Sequence, residues 1–268
     1  MAGTFLHRTI PIGLMAAAGI GLLSLLGAAP AQGEDCAVPT SFYDTEPTLP
    51  KTVRALASSQ TVSIVAIGGA STLGRAAGGP ALAWPARLAV ALTHRFPAAH
   101  VTIDNRAVAR QTTQEMASRL DRDVIAAKPT LVIWETGTMD AVRGTELDAF
   151  RQTIQAGIDR LRASGAELVL MDMQFSRRTH TVVINSDRYE SVLREVTDAN
   201  EVPLFRRHDI MRHWAESGVF DLIRGDQEKL RQIASRLYDC IGRAVADFVS
   251  RGIQPEAGAP AAGSGRTK

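Results

Sequence analysis

The amino-acid sequence predicts an α/β fold, a single α/β/α three-layer domain in which helices cover both faces of a five-stranded parallel sheet. Two observations support this fold class. Short apolar runs rich in β-branched residues recur along the chain, and amphipathic stretches with helical periodicity separate them. Strands that alternate with helices favour a parallel sheet. A chain of 268 residues, 45% of them hydrophobic, is long enough to bury one such core.

The predicted elements follow one another along the chain. The first strand is the run Thr61–Ile67, which two glycines end. Further strands are predicted at His100–Asp104, Thr130–Glu135, Glu167–Met173 and Val202–Phe205. Helices are predicted at Trp84–Arg95, Thr112–Ala127, Leu147–Ser164, Asp187–Asn200 and Gln227–Ser250.

The N-terminal segment, residues 1–31, is predicted to be a secretory signal peptide. His7 and Arg8 precede an apolar run, and Ala29-Pro-Ala31 provides a small-x-small cleavage site. The alternative is a retained membrane anchor, because the run is close to the roughly 20 apolar residues that cross a bilayer. We therefore expect a secreted or periplasmic protein. It would contact a membrane only if the signal segment stayed uncleaved.

The rest of the chain is predicted to form an extended N-terminal arm (32–60), the folded domain (61–252) and a disordered tail (253–268). The formal net charge is only +2 and no basic block occurs, so no nucleic-acid partner is expected. No metal-ligand spacing or phosphate-binding loop is found, so neither a metal nor a cofactor is expected. The sequence does not predict an oligomeric state.

The chain contains only two cysteines, Cys36 and Cys240. In an exported protein an even pair indicates a disulfide, which would join the N-terminal arm to the last helix. In the chain-entropy model a loop of this length contributes roughly 5 kcal/mol of stability. Two unrelated buried thiols are the alternative.

The turn after the first strand, Ile67 to Gly74, is the first candidate functional segment. A sharp strand-to-helix turn presents a side chain above the sheet edge, and the backbone N–H groups that follow can bind an anion. In open parallel sheets, ligands bind beyond the carboxyl ends of the strands. The functional edge is therefore expected at this turn and at the turns near 105–111, 136–143 and 174–181. An ordinary glycine-rich loop is the alternative interpretation of the same residues.

Several segments along residues 61–250 occur in an informative order. They are Val65-Ala-Ile-Gly-Gly-Ala-Ser-Thr-Leu-Gly74, Trp84-Pro-Ala-Arg-Leu88, Asn105-Arg-Ala-Val-Ala-Arg110, Gly137-Thr-Met-Asp140, Val202-Pro-Leu204 and Tyr238-Asp-Cys240. As an ordered set they resemble the SGNH (GDSL) hydrolase family. The resemblance implies a flavodoxin-like sheet and hydrolysis of esters or thioesters. It also implies a nucleophilic serine after the first strand, an oxyanion hole that includes a glycine N–H and an asparagine side chain, and an Asp-x-x-His motif before the last helix.

The first turn can be aligned with this family in two ways, which place different residues at the nucleophile position. Anchoring on Gly68 and Gly74 puts Ala70 at the nucleophile position, and alanine has no nucleophilic atom. A shift of one residue makes Ser71 the candidate, but it misplaces Gly74. The sequence leaves both alignments open.

Other positions also depart from the family pattern. Arg110 stands at the glycine of the oxyanion hole, where its backbone N–H remains and its side chain is available to an anionic ligand group. Met139 stands at the oxyanion asparagine, and a thioether cannot donate a hydrogen bond. The segment 220–238 contains no histidine, so the expected base is missing. The remaining candidates for a base are His180, His208 and His213.

These substitutions favour a catalytically degenerate member of the family, a pseudoenzyme, that binds an acylated or anionic envelope ligand such as a small molecule or glycan. The alternative is a weak serine hydrolase of acyl or O-acetyl esters that uses Ser71 and a non-standard histidine. A structural or partner-binding domain is a third hypothesis, and the sequence does not decide whether the protein is an enzyme. The predicted binding residues are Gly69, Ala70, Arg110, Thr138, Met139 and His180, and the predicted catalytic residue is Ser71.

Overall fold

A computed structural model describes residues 36–43, 48–175, 186–220, 225–251 and 253. Five parallel strands form one sheet in the order β2-β1-β3-β4-β5. This order is the flavodoxin-like arrangement, so the predicted fold class is confirmed. The strands are β1 Thr61–Ile67, β2 His100–Asn105, β3 Leu131–Glu135, β4 Glu167–Met171 and β5 Leu204–Phe205.

The sheet separates two apolar cores because successive side chains of a strand point to opposite faces. Ile64 of β1 and Ile133 of β3 belong to one core, and Val65 and Val132 belong to the other. Every residue of the central strand β3 is buried, as expected for a parallel strand covered on both faces. The helices that provide the cover are α1 Pro50–Ala57, α2 Trp84–Arg95, α3 Thr113–Ala117, α4 Leu120–Asp123, α5 Thr138–Arg143, α6 Leu147–Ala163, α7 Ser186–Ala199, α8 Arg207–Glu216 and α9 Gln227–Val249.

Two predicted elements differ from the structure. The predicted helix Thr112–Ala127 is divided into α3, α4 and a 3-10 turn. Arg119 lies at the break, where its buried side chain donates to Gln111 Oε1 and to the carbonyl of Arg106, each at 2.8 Å. The segment predicted as an extended arm contains helix α1, which begins with Pro50 at a position where the missing N–H costs nothing.

A disulfide between Cys36 and Cys240 joins the N-terminal arm to helix α9, which confirms the predicted pairing. The arm also contacts α8, because Trp214 Nε1 donates a hydrogen bond to the carbonyl of Ala37 at 3.1 Å. All described residues belong to one compact unit. The predicted signal peptide and all of the predicted tail except Ile253 lie outside the described residues. Within the described ranges, no helix combines the length and the apolar character needed to cross a bilayer.

Candidate functional site

The turn after β1 and the loop after β2 are joined by hydrogen bonds at the carboxyl edge of the sheet. The N–H of Val108 donates to the carbonyl of Gly68 at 3.0 Å. Asn105 Nδ2 donates to the carbonyl of Thr72 at 2.7 Å, while its Oδ1 accepts from Ala107. Asn105, the first residue of the segment Asn105–Arg110 that resembles the family, therefore holds the first turn in place.

The loop after β3 is attached to the same edge. Asp140 Oδ2 accepts hydrogen bonds from the N–H of Thr113 at 2.9 Å and from its hydroxyl at 2.7 Å. The hydroxyls of Thr113 and Thr136 share a further hydrogen bond. Arg143 Nη2 donates to the carbonyl of Arg110 at 2.8 Å. The three connected loops, 68–74, 105–113 and 136–143, are called the rim below.

The first turn presents Ala70 to solvent and turns Ser71 inward. Ala70 is exposed, whereas Ser71 is only 7% exposed. Ser71 Oγ lies 2.9 Å from Arg207 Nη1 and 3.1 Å from Glu135 Oε2. The hydroxyl therefore accepts a hydrogen bond from the guanidinium and donates one to the carboxylate. Both partners are buried, so Ser71 is part of the interior of the domain.

Glu135, the last residue of β3, is the centre of this buried network. Its Oε2 accepts from the N–H of Gly69 at 2.9 Å and from Thr72 Oγ1 at 2.6 Å. Its Oε1 lies 3.0 Å from Arg207 Nη2, and the side chain of Arg207 is fully buried. Burial alone would raise the pKa of Glu135, but Arg207 and these hydrogen bonds outweigh it and hold the pKa below its ordinary value. The carboxylate is thus ionised and paired.

Gly68 is required where this network meets the turn. A Cβ at this position would lie 2.7 Å from Glu135 Oε2 and would also collide with Thr72. Glycine permits the close approach because it has no side chain. The two-glycine end of β1 therefore fits the turn around the Glu135 carboxylate.

The structure does not bring a described histidine to Ser71. Among the described residues, the hydrogen bonds of Ser71 Oγ reach only Glu135 and Arg207. His208 is buried, with Nε2 at 3.2 Å from Glu190 Oε1. His213 packs its ring against Phe42 at a centroid distance of 5.6 Å. His180 lies outside the described residues.

The other predicted binding residues lie on the rim. Arg110 is exposed and has φ +69°, in the left-handed region that favours glycine. Met139 is half-buried in the first turn of α5, after Gly137 at φ +95°. Thr138 Oγ1 is buried and has no hydrogen-bond partner among the described residues. Met139 offers no side-chain donor at the position of the oxyanion asparagine.

The Non-GDSL lipase-like family matches residues 35–255 of this chain. The chain belongs to this family. The result agrees with the resemblance to SGNH (GDSL) hydrolases that the sequence shows. A comparison with curated proteins finds no match.

Solved structures of esterases share the fold of this non-GDSL lipase-like domain. A two-domain esterase (CEX) active on acetylated mannans has a TM-score of 0.58 and 20% identity, over 77% of this chain and 54% of its own. A catalytic mutant of the acetylxylan esterase Axe2 from Geobacillus stearothermophilus has a TM-score of 0.53 and 18% identity, over 66% and 92%. The acetyl xylan esterase AlAXEase has a TM-score of 0.52 and 14% identity, over 66% and 98%. At these identities the likeness shows the fold alone.

Sequence reasoning missed the buried ion pair of this family member. The strand β3 reads Leu-Val-Ile-Trp-Glu, and a charged residue that ends a fully buried strand is a signal for a paired interior charge. Its partner Arg207 gave no comparable signal, because it lies 72 residues away at the start of α8. The pair therefore became visible only with the fold.

A second buried cluster in this non-GDSL lipase-like domain has donor types that suit a metal ion. Ligand atoms of Glu190, His208 and Asp209 lie within 4.8 Å of one another. However, the two oxygens of Asp209 already pair with guanidinium groups. The side chain of His208, together with Arg206 and Arg194, holds the pKa of Asp209 below its ordinary value despite its burial. A divalent cation would have to compete with three positive charges, so this cluster does not suit a metal. The guanidinium groups belong to Arg194 at 3.0 Å, Arg206 at 2.7 Å and Arg212 at 3.4 Å.

A pocket of about 650 Å³ lies away from the rim, near the amino ends of β1 and β2. Its walls come from the ends of α1, α2 and α9, including Leu56, Phe96 and Ser250. None of the predicted site residues lines it. The rim and this pocket are separate features of the domain.

Proposed function

We propose that this protein is an exported, catalytically degenerate member of its family that binds an acylated or anionic envelope ligand at the rim. The observation that carries the proposal is the pair of neighbours in the first turn. The exposed position is occupied by Ala70, which has no nucleophilic atom, and the only adjacent hydroxyl, that of Ser71, is held inside the domain.

The environment of Ser71 does not suit a nucleophile. A serine must give its proton to a base within about 3 Å, and an effective base has a pKa near the working pH. Glu135 accepts from Ser71 Oγ, but its pKa is below the ordinary value for a carboxyl group. Arg207 cannot accept a proton. Attack on an ester would also require the buried hydroxyl to leave both partners.

The rim retains features that suit a ligand. It presents exposed apolar side chains together with the exposed guanidinium of Arg110. Apolar contact area suits an acyl group, and a guanidinium suits carboxylate or phosphate. The structural neighbours include esterases named for acetylated mannans and acetyl xylan, so acylated glycans belong in the first ligand panel.

The catalytic half of this proposal is tested with aryl acetate, aryl butyrate and acetylated xylo-oligosaccharides. Wild-type mature protein and Ser71→Ala are each expected to match the rate without protein. Circular dichroism of both proteins controls for folding. Turnover by the wild type that disappears in Ser71→Ala would overturn the proposal and establish the alternative, a weak serine ester hydrolase with a non-standard base.

The binding half is tested by titrating wild-type protein with acetylated mannan oligosaccharides, their deacetylated forms and anionic amphiphiles. Heat of binding or a shift in melting temperature is expected with an acylated or anionic compound. Deacetylated neutral oligosaccharides are the matched control. The absence of binding to the whole panel would contradict this half of the proposal.

A further inference from the structure

Exposed apolar side chains lie on the rim as well as elsewhere on the domain, where Val90 of α2 is 65% exposed. Among the described residues, four large apolar side chains are exposed. Two of them, Val108 (45% exposed) and Val142 (51% exposed), belong to the rim. A third, Leu82, lies in Pro80–Leu82, the second of two short 3-10 helices after the first turn. Single exposed apolar residues are common on protein surfaces. Val108 and Val142, however, lie on two rim loops that the hydrogen bond from Arg143 to the Arg110 carbonyl joins, so we treat the exposed side chains on and beside the rim as one apolar group.

Arg110 supplies a positive charge beside this apolar group. Its side chain is exposed and forms no ion pair with a described residue. Arg143 is different, because its guanidinium pairs with Glu115 at 3.3 Å and donates to the backbone carbonyl of Arg110 at 2.8 Å. Arg143 therefore holds the backbone of Arg110 and leaves the Arg110 guanidinium available.

The backbone of Arg110 is held in a conformation that glycine would adopt at lower cost. At φ +69° the Cβ of a non-glycine residue crowds its own backbone. Strained positions of this kind persist where the surrounding structure enforces them, and they cluster at binding sites. Here the enforcing contacts are the carbonyl bond from Arg143 and the attachment of the loop to Gly68 through Val108.

We propose that the rim binds an anionic amphiphile, with Arg110 on its carboxylate or phosphate head and the apolar group on its hydrocarbon body. The inference rests on the proposed function and specifies its ligand class. An arginine that lies in a strained, clamped backbone next to exposed valines fits a ligand that carries both properties. Neither charge nor chain length alone satisfies both parts of the surface.

Isothermal titration calorimetry with four probes tests the ligand class. Octanoate and octyl phosphate carry the chain and alternative head groups, octanol carries the chain alone, and acetate carries the charge alone. Octanoate or octyl phosphate, or both, are expected to bind wild-type protein at least tenfold more tightly than octanol or acetate. The stronger of the two identifies the head group.

The variant Arg110→Gly separates binding from backbone strain. It is expected to lower the affinity for the anionic amphiphile to that for octanol, to leave octanol binding unchanged, and to raise the melting temperature because the strain is relieved. Lys128→Gly is the matched control, since Lys128 is also an exposed cation at positive φ, +48°, but precedes β3 at the opposite edge. It should raise the melting temperature without any change in affinity.

Equal affinity for octanoate, octyl phosphate and octanol, or undiminished anion binding by Arg110→Gly, would overturn the inference while the proposed function stands. Failure of all four probes to bind wild-type protein would overturn it as well. The proposed function fails by different results, namely ester turnover that disappears in Ser71→Ala, or the absence of binding to every acetylated oligosaccharide and anionic amphiphile of its own panel. The two proposals are therefore distinguishable.

Discussion

At the scale of single residues, the first turn shows how one position separates a surface side chain from an interior one. Ala70 is exposed, and the next side chain points into the domain and bonds to Glu135 and Arg207. Because Glu135 and Arg207 are both almost completely buried, neither charge can be left alone without a large cost. The buried residues around the turn therefore stabilise the carboxyl edge of the sheet, where a ligand would bind.

The buried ion pair gives the first prediction at this scale. Arg207→Met leaves the Glu135 carboxylate buried without its main counter-ion, so the free energy of unfolding should fall by about 3–5 kcal/mol. The double variant Arg207→Met with Glu135→Gln should recover part of this loss, because the uncompensated charge is removed. Urea unfolding followed by circular dichroism measures both.

The control for this prediction is Arg231→Met, which breaks an exposed ion pair with Glu228. Exposed pairs contribute about 0–1 kcal/mol, so little change is expected there. Equal effects of Arg207→Met and Arg231→Met would show that the Glu135–Arg207 pair contributes no more than a surface contact.

Asp172 gives a prediction of pH dependence. Burial, with a further contribution from Glu190, raises its pKa from 3.8 to about 7. The hydrogen bond from the backbone N–H of His208 and the electrostatic effects of Arg207 and His208 oppose this rise. Because the folded pKa exceeds the unfolded one, the folded state binds the extra proton. The resulting stability is fully present below about pH 4 and is lost as the pH rises through about 7.

Asp172→Asn should remove this dependence. Asparagine is neutral at every pH and can still accept the hydrogen bond that His208 N–H donates to Oδ1 at 2.8 Å. The variant should match the wild type near pH 4 and exceed it at pH 8 by roughly 2 kcal/mol or more, since each pKa unit corresponds to about 1.4 kcal/mol. Urea midpoints from pH 4 to 8 measure this, and parallel curves for the two proteins would contradict the raised pKa.

At the scale of elements, periodicity located the strands and long helices better than it located interruptions and partners. Helix α2 spans the predicted residues Trp84–Arg95, and each predicted strand overlaps an observed one. The break at Arg119 depends on contacts with Gln111 and the Arg106 carbonyl, which a helical pattern does not encode. The inward direction of Ser71 likewise depends on a carboxylate that is distant in the sequence, so the candidate site was predictable only as an edge.

The packing of α9 on α2 gives a prediction at this scale. A Cβ at Gly242 would lie 2.8 Å from the carbonyl carbon of Arg87 and 2.8 Å from the nitrogen of Leu88. Glycine to alanine normally favours a helix by about 1 kcal/mol, but here the new methyl group must separate two helices. Gly242→Ala should therefore lower the free energy of unfolding by about 1–3 kcal/mol in urea titrations.

The control on the same helix is Gln232→Ala, at an exposed position. Its effect should stay within about 0.5 kcal/mol. A stabilised Gly242→Ala variant would mean that α2 and α9 have room to separate at little cost.

At the scale of the whole molecule, one covalent bond joins the beginning of the described chain to its last helix. The disulfide Cys36–Cys240 spans a sequence separation of 204 residues, and the arm it fixes also packs Phe42 against His213 of α8. Helix α8 begins with Arg207, the residue that holds Ser71 and Glu135. The arm therefore supports, through α8, the same helix start that organises the first turn.

Reduction of this disulfide should destabilise the domain without changing its fold. The chain-entropy model assigns roughly 5 kcal/mol to a loop of this length, and about 3 kcal/mol is expected because denatured chains retain some contacts. For a domain of this size, the melting temperature should fall by about 6–12 °C in the presence of reductant. The double variant Cys36→Ser with Cys240→Ser should melt at the lower temperature and be insensitive to reductant. Since the bond acts mainly on the unfolded chain, far-ultraviolet circular dichroism before melting should be the same for all samples. Equal melting temperatures of the oxidised and reduced wild type would mean that the non-covalent contacts of the arm suffice to hold it on α8 and α9.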